Sequence, residues 1–216
     1  MRDSESVRIE YLALKDLYRW TSEPGFLYQD IRVHGYGPRR NAHTKEPFNP
    51  VYELPHERLT KEFRGALTAW KNSSMCRDLN AVLKSKPHLQ VKNVIAFGNG
   101  SLANGSVWDE DARMYSRWQH ALMLSMGNTF LRNNRVKDTI RFYAQDPAYL
   151  HGDETFLKHI GIQAVKDPEG FLLVEDDSAV VTFAPDIDVM EIVCAIAKPA
   201  VLICEKIVST ADKFEM

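Results

Sequence analysis

A glycine-rich segment, Phe97–Ser106, is the first place in this sequence where residue types and spacing could support chemistry. It reads FGNGSLANGS and continues a short apolar run that begins at Val94, which is typical of a buried strand. Glycines let the backbone turn sharply and approach a ligand closely, and the N–H groups of such a turn can bind an oxyanion or a phosphate. The hydroxyl groups of Ser101 and Ser106 can act as nucleophiles, or they can bond to the turn's own backbone. The spacing matches neither the dinucleotide-binding GxGxxG pattern nor a phosphate-binding loop ending in Lys.

Carboxylates follow two further apolar strand patterns. Asp146, within the segment Tyr143–Tyr149 (YAQDPAY), can bind an amine or a ribose hydroxyl, or it can cap the turn that follows. Asp186, Asp188 and Glu191 stand in a third segment, and the spacing of Asp188 and Glu191 fits a capping box at the start of a helix. The same carboxylates could bind a cationic group or serve as general acid and base. Both interpretations stay open for both segments.

Two clusters of basic residues could contact nucleic-acid phosphates, although a solvated surface is the commoner explanation of such clusters. The first is the acid-free stretch 32–45, which includes Arg39 and Arg40; the second comprises Arg132, Arg135, Lys137 and Arg141. His120 stands alone, and no paired Cys or His spacing typical of a metal site occurs. We therefore expect no metal and no bound cofactor.

These groups can cooperate only if the elements before them share one sheet. Strand and helix patterns alternate from Val94 onward and predict an α/β fold: a Rossmann-like three-layer sandwich with a mostly parallel sheet. The predicted strands are 94–97, 139–143, 162–165, 179–183 and 200–204, and the predicted helices are 109–130, 153–159 and 188–197. In such a sheet, ligands bind beyond the carboxyl ends of the strands, so the three segments above should converge.

The chain of 216 residues divides into two predicted regions. Residues 1–90 form an N-terminal extension, partly helical and packed on the core, and residues 91–216 form the α/β core. Within the extension, apolar residues recur every three or four positions from Leu59 to Trp70, and Ser73 or Ser74 can cap a second helix.

Net charge and amino-acid composition argue against some classes of function for this protein. The net charge is −2, so no bulk charge favours DNA, although the first 90 residues carry an excess of Lys and Arg. Three cysteines without a CxxC spacing and a charged N-terminus without an apolar stretch predict a cytoplasmic protein with no membrane association.

The second half of the chain resembles the sensitivity-to-red-light-reduced-like domain family. The matching segments are FGNGS, the pair Gln119-His120, YAQDPAY, the block Ile160–Pro185 and the closing Lys198–Cys204. One fungal branch of this family comprises the arginine-containing cyclodipeptide synthases, which join arginine and a second amino acid taken from aminoacyl-tRNAs. An acidic motif of that branch, two adjacent Asp and then Glu after two intervening residues, is matched in part. Asp188 and Glu191 fit it, Ile187 stands where the first Asp is expected, and Asp186 lies one position earlier.

The resemblance implies roles for residues of this chain. A looser likeness to bacterial cyclodipeptide synthases, whose nucleophilic Ser follows the first strand in a Gly-x-Ser turn, assigns Ser101 as the acyl acceptor, with Ser106 as the alternative. Asp188 and Glu191 complete the implied catalytic set. The implied substrate-binding residues are Gly98, Gly100, Ser106, Asp146 and Asp186. The basic residues named above, Arg39, Arg40, Arg132, Arg135 and Lys137, would contact tRNA.

Two other classes of function remain possible at this point. The parent family is linked mainly to light, clock and stress signalling, so a non-catalytic regulatory protein is the alternative to the synthase. A Rossmann-like methyl-transfer enzyme is a third reading. The sequence defines neither the oligomeric state nor the second amino acid of a product.

Overall fold

A computed structural model describes residues 52–105, 110–133, 139–183 and 187–204, together with the backbone of two N-terminal strands. These strands, β1 (Ser6–Tyr11) and β2 (Ile31–Tyr36), pair antiparallel with each other, with Ser6 opposite Tyr36.

The central element is a five-stranded sheet in which every strand runs parallel to its neighbours. Its strands are β3 (Asn93–Phe97), β4 (Arg141–Gln145), β5 (Ile162–Val165), β6 (Ser178–Thr182) and β7 (Val201–Ile203), in the spatial order β5-β4-β3-β6-β7. The chain moves outward from β3 to β5 and then crosses to β6 on the other side of β3. The topological switch point therefore lies between β3 and β6, where Phe97 pairs with Thr182. The predicted α/β sandwich is confirmed.

Six helices are present in the described part of the chain. They are α1 (His56–Asn72), α2 (Ser74–Lys84), α3 (Glu110–Asn133), α4 (His151–His159), α5 (Glu169–Leu172) and α6 (Val189–Ile196). The apolar spacing in α1 buries Leu59, Phe63 and Trp70 on one face. Ser73 separates α1 from α2, and its side chain accepts a hydrogen bond from the N–H of Cys76, as expected of an N-cap.

Side chains of β3 alternate between two hydrophobic clusters, one on each face of the sheet. Val94 and Ala96 pack with residues of α1, α3 and α4, whereas Ile95 and Phe97 pack with residues of α5 and α6. The ring of Phe97 stacks on that of Phe171, with centroids 4.5 Å apart. Helices cover both faces, and the two central strands, β3 and β6, are buried along their whole length, which explains why their sequences are largely apolar runs rather than alternating patterns.

The boundaries differ from the predicted ones at several places. The strand expected to begin at Thr139 begins at Arg141, where pairing with Asn93 starts. The long helix continues to Asn133, three residues beyond the expected end, and α4 begins at His151 rather than at Asp153. In the described part of the chain no helix combines the length and apolarity needed to cross a membrane.

Candidate functional site

The glycine turn, Gly98–Asn104, follows β3 directly and begins with a left-handed backbone. Gly98 and Gly100 both have φ of 72°, a conformation that costs residues with a Cβ atom extra free energy. The N–H of Gly98 donates to the carbonyl of Gln145 at 3.1 Å, which ties the turn to the end of β4. The glycines are therefore required by the backbone geometry of the turn itself.

Asp146 joins the turn to the next strand end. Its Oδ2 accepts a hydrogen bond from the N–H of Gly100 at 2.6 Å, and its Oδ1 accepts from the N–H of Ala148 at 2.7 Å. The second bond is the turn cap that the sequence suggested, and the first brings two of the three predicted segments into direct contact.

A buried carboxylate, Asp153, lies at the centre of the turn. It is 0% exposed and accepts the hydroxyl of Ser101 at 2.6 Å. It also accepts the backbone N–H groups of Leu102, Ala103 and Leu150 at 2.6, 2.8 and 2.8 Å, as expected for a buried charge. The oxygen of Ser101, a half-buried residue, accepts the N–H of Asn104 at 3.0 Å.

The chain before α1 holds the turn from its other side. The N–H of Leu54 donates to the carbonyl of Ala103 at 2.8 Å, and the N–H of Gly105 donates to the carbonyl of Tyr52 at 2.5 Å. Glu53 Oε2 accepts the N–H of Gly152 at 2.9 Å. The turn is thus fixed by β4, by α4 and by residues 52–54.

A second polar network connects α3 to the same region. The hydroxyl of Ser116 donates to the carbonyl of Gly100 at 2.7 Å. His120 is fully buried, and its Nδ1 lies 2.7 Å from the carbonyl of Ser116 while its Nε2 lies 2.9 Å from the hydroxyl of Tyr149. Because a carbonyl only accepts, Nδ1 carries the proton and Nε2 accepts from Tyr149.

Burial dominates the acid–base properties of this pair. It lowers the pKa of His120 to about 4, against smaller raising effects of the Ser116 hydrogen bond and the Asp153 charge. Burial also raises the pKa of Tyr149 well above 10, and the charges of Asp146 and Asp153 act in the same direction. Both side chains are therefore neutral near pH 7, and the pair positions the segment that carries Asp146 and Asp153.

A groove of about 890 Å³ opens beyond the carboxyl ends of β4 and β5. Its lining includes Asp146 and Tyr149 from the network described above, with Lys158, Lys166 and Asp167 further along. A cavity of this volume falls within the usual range for small-molecule sites.

The third predicted segment follows β6 and begins α6. Asp188 is the N-cap of this helix, and its Oδ1 accepts the N–H of Glu191 at 3.4 Å. Asp188 is half-buried and Glu191 is exposed. Since β3 and β6 are parallel neighbours, Asp188 and Ser101 both follow strand ends on the same edge of the sheet. Their joint participation in a reaction stays a prediction.

Several predicted site residues fall outside the described part of the chain, namely Ser106, Asp186, Arg39, Arg40, Arg135 and Lys137. Arg132 is described; it lies in the last turn of α3 and is exposed. In the described residues no group of three or more His, Cys, Asp and Glu side chains is arranged to hold a metal ion.

Sequence analysis missed the residue that organises the turn. Asp153 lies about fifty residues from its hydroxyl partner, and in the sequence it is one acid among several near the start of α4. Its position in the first turn of a helix was the available signal, but this position equally fits an ordinary contribution to the helix dipole.

The sheet order and the loop after β3 define a Rossmann-like α/β protein with polar groups at the carboxyl edge. The SRR1 domain matches residues 63–215, and the chain belongs to this family. The family resemblance drawn from the sequence is thereby confirmed. No curated protein and no solved structure matches the chain.

Proposed function

We propose that this SRR1-domain protein is an aminoacyl-tRNA-dependent cyclodipeptide synthase that joins arginine to a second amino acid. The observation that carries the proposal is the hydrogen bond of 2.6 Å from the Ser101 hydroxyl to the Asp153 carboxylate, within a turn rich in backbone N–H groups. The carboxylate gives the Ser101 hydroxyl an adjacent general base, which is one way to activate a nucleophile, and the partial exposure of Ser101 allows a substrate to approach.

In the first step, Ser101 Oγ attacks the ester carbonyl carbon of one aminoacyl-tRNA, and its proton passes to Asp153. Expulsion of the ribose oxygen of tRNA, which takes that proton, leaves the aminoacyl group as an ester on Ser101. The N–H groups of Asn99 and Ser101, which do not take part in the described hydrogen bonds that fix the turn, stabilise the oxyanion of the tetrahedral intermediate, an effect worth about 3 kcal/mol per donor. No ATP is needed, because the substrate ester is already activated.

Two attacks by α-amines then form the two amide bonds of the ring. The amine of the serine-bound residue attacks the ester carbonyl of the second aminoacyl-tRNA and expels the ribose oxygen, which takes the proton that the amine loses. The amine of the newly added residue then attacks the serine ester, and the proton that it loses restores the Ser101 hydroxyl. Asp188 and Glu191 bind the arginine guanidinium or orient an attacking amine, since a carboxylate can accept two parallel hydrogen bonds from guanidinium. Arg132 and the other predicted basic residues contact tRNA phosphates.

The acid pair provides the main test. Asp188→Ser keeps a capping oxygen at the start of α6 but removes the charge, and Glu191→Gln removes the second charge. We expect each variant to fold normally and to lose at least 100-fold in cyclic-dipeptide yield, measured by mass spectrometry of the medium of a bacterial expression host (about 3 kcal/mol in barrier height). Exposed Glu57→Gln on α1 is the matched control and should retain full yield.

A covalent intermediate provides the second readout. With arginyl-tRNA labelled in the amino acid, the wild-type protein should acquire label, and Ser101→Ala should not. Product formation at the wild-type rate by Asp188→Ser or Glu191→Gln would end the assignment of the acid pair, and labelling of Ser101→Ala would end that of the nucleophile.

A non-catalytic regulatory role is the second candidate, and one observation favours it. The Ser101 hydroxyl donates to Asp153 of α4 and accepts from the N–H of Asn104, so both bonds serve the shape of the turn, and Asp188 has a structural role as a cap. For such a protein, the wild-type chain yields no cyclic dipeptide in the expression host.

A further inference from the structure

Two buried polar side chains at the switch point have no hydrogen-bond partner among the residues that the structure describes. Asn99 is 1% exposed, and both its amide oxygen and its amide nitrogen lack a partner. Thr182, which is 2% exposed, has an unpartnered hydroxyl. Buried polar groups are nearly always paired in native proteins, because an unpaired group costs about 1–3 kcal/mol.

Their place in the fold suggests why they are retained. Thr182 is the last residue of β6 and pairs with Phe97, the last residue of β3, and Asn99 follows two residues later. Both therefore stand at the carboxyl ends of the two strands between which the strand order reverses. Open α/β sheets generally bind their ligands at such a point, beyond the carboxyl ends of the strands.

We propose that Asn99 and Thr182 form a recognition site for an adenine base, with Asn99 hydrogen-bonding to the base edge. An Asn amide presents a donor and an acceptor side by side, which matches the N6 donor and the N7 acceptor of adenine. The hydroxyl of Thr182 supplies one further donor or acceptor. The identity of the ligand rests on the proposed function: an aminoacyl-tRNA carries its ester on a terminal adenosine, and Asn99 lies two residues from Ser101.

The first test uses the wild-type protein and two mononucleotides. Calorimetric titration should detect binding of adenosine monophosphate, and inosine monophosphate, which replaces the N6 donor with an acceptor, should bind at least 10-fold more weakly. Equal affinity for the two nucleotides, or no binding of adenosine monophosphate at millimolar concentration, would overturn the proposal. Neither measurement requires turnover, so this result is separate from the test of cyclic-dipeptide synthesis.

Variants then locate the site. Asn99→Leu should weaken adenosine monophosphate binding about 10-fold, and Thr182→Val, which keeps the shape of the side chain, should weaken it about 5-fold. Asn93→Leu is the control, because Asn93 also has a buried unpartnered side-chain oxygen but lies at the opposite end of β3. Unchanged affinity in Asn99→Leu and Thr182→Val would mean that these groups bind only buried water, and the proposal would fail.

Stability gives an independent signature that does not depend on the ligand. Thr182→Val removes an unpaired hydroxyl, so the melting temperature of the free protein should stay the same or rise. Thr129→Val is the matched control, because the buried Thr129 hydroxyl contacts Asn80 Oδ1 at 2.5 Å and the carbonyl of Ser125 at 3.0 Å. That control should melt about 3 °C lower. A drop of the same size in Thr182→Val would show that its hydroxyl is paired in the free protein, against the proposal.

Discussion

Asp153 shows how one side chain can determine the shape of a loop. Its two oxygens accept one hydroxyl and three backbone N–H groups, from residues on the glycine turn and at the start of α4. Hydrogen bonds to an ionised group are stronger than those between neutral groups, so this carboxylate can fix the turn without help from a metal ion or a disulfide. The same bonds hold the Ser101 hydroxyl in one orientation.

The buried His120 predicts a loss of stability in acid. Its pKa in the folded protein is about 4, below the value of about 6.5 for an unfolded chain, so the unfolded state binds more protons between these values. Stability is unaffected by this residue above pH 6.5 and falls as the pH decreases towards 4. Between pH 7 and pH 5, urea denaturation of the wild-type protein should show about 2 kcal/mol more loss than His120→Gln does.

The variant controls for every other titrating group, because only position 120 differs between the two proteins. Equal losses in wild type and His120→Gln would mean that the histidine is accessible to protons in the folded state. A smaller loss of stability in the wild type than in His120→Gln would mean that the folded state, rather than the unfolded state, binds more protons at this histidine, which would contradict the prediction.

For individual residues, the sequence indicated which side chains could be functional, but it did not show which of them contact one another in the site. The turn glycines and Asp146 were identifiable because Gly and Asp before Pro have strong local preferences. The partners of Ser101 and His120 were not, since they come from elements distant in sequence and depend on how the helices pack.

Helix α3 and strand β4 approach closely at a single glycine. A Cβ atom added at Gly127 would lie 2.1 and 2.4 Å from atoms of the Phe142 ring, whereas one added at Gly65 in α1 would meet nothing within 4 Å. Ala has a higher helix propensity than Gly. At position 127 a clash with the Phe142 ring opposes this gain, whereas at position 65 nothing opposes it.

We expect Gly127→Ala to destabilise the protein by about 1–3 kcal/mol, and Gly65→Ala to stabilise it by about 0.5–1 kcal/mol. Chemical denaturation of both variants measures the two effects. An increase in stability for Gly127→Ala would mean that the Phe142 ring moves aside freely, and a decrease for Gly65→Ala would contradict the open surface of α1.

The sequence predicted the existence of the strands and helices better than it predicted their first and last residues. Most residues of the five parallel strands are apolar, and Gly98, Asp146 and Gly161 lie directly beside three of the strands, so the existence of the strands can be predicted from composition and periodicity. The start of β4 at Arg141 depends instead on pairing with β3, and the two extra residues of α4 depend on Asp153 accepting the N–H of Leu150. Both are tertiary contacts, which a single sequence does not reveal.

At the scale of the whole molecule, helices α1 and α2 share one hydrophobic core with the central sheet. Leu59 and Phe63 of α1 and Leu83 of α2 belong to the same buried cluster as Val94 of β3, and the rings of Phe63 and Phe156 lie 5.4 Å apart. The Trp70 indole N–H donates to the hydroxyl of Ser125 at 2.7 Å. The predicted boundary at residue 91 therefore crosses a continuous hydrophobic cluster.

A fragment of residues 91–216 should lack cooperative unfolding, whereas a fragment of residues 52–216 should retain it. Removal of α1 and α2 exposes apolar surface on α3 and α4, and it deletes the segment that holds the glycine turn. Thermal unfolding followed by near-ultraviolet circular dichroism distinguishes the two fragments. A sharp transition in the shorter one would support an independent core that begins at residue 91.

The position of Asp153 also has a consequence for biosynthesis. Ribosomes release the chain from its amino end, so Ser101 emerges about fifty residues before the carboxylate that orients it. Until α4 has been translated, the N–H groups of Leu102 and Ala103 have only solvent as acceptor in place of Asp153. The glycine turn consequently acquires its hydrogen bonds late in synthesis. A nascent chain that is stalled before residue 153 carries the turn without its native geometry.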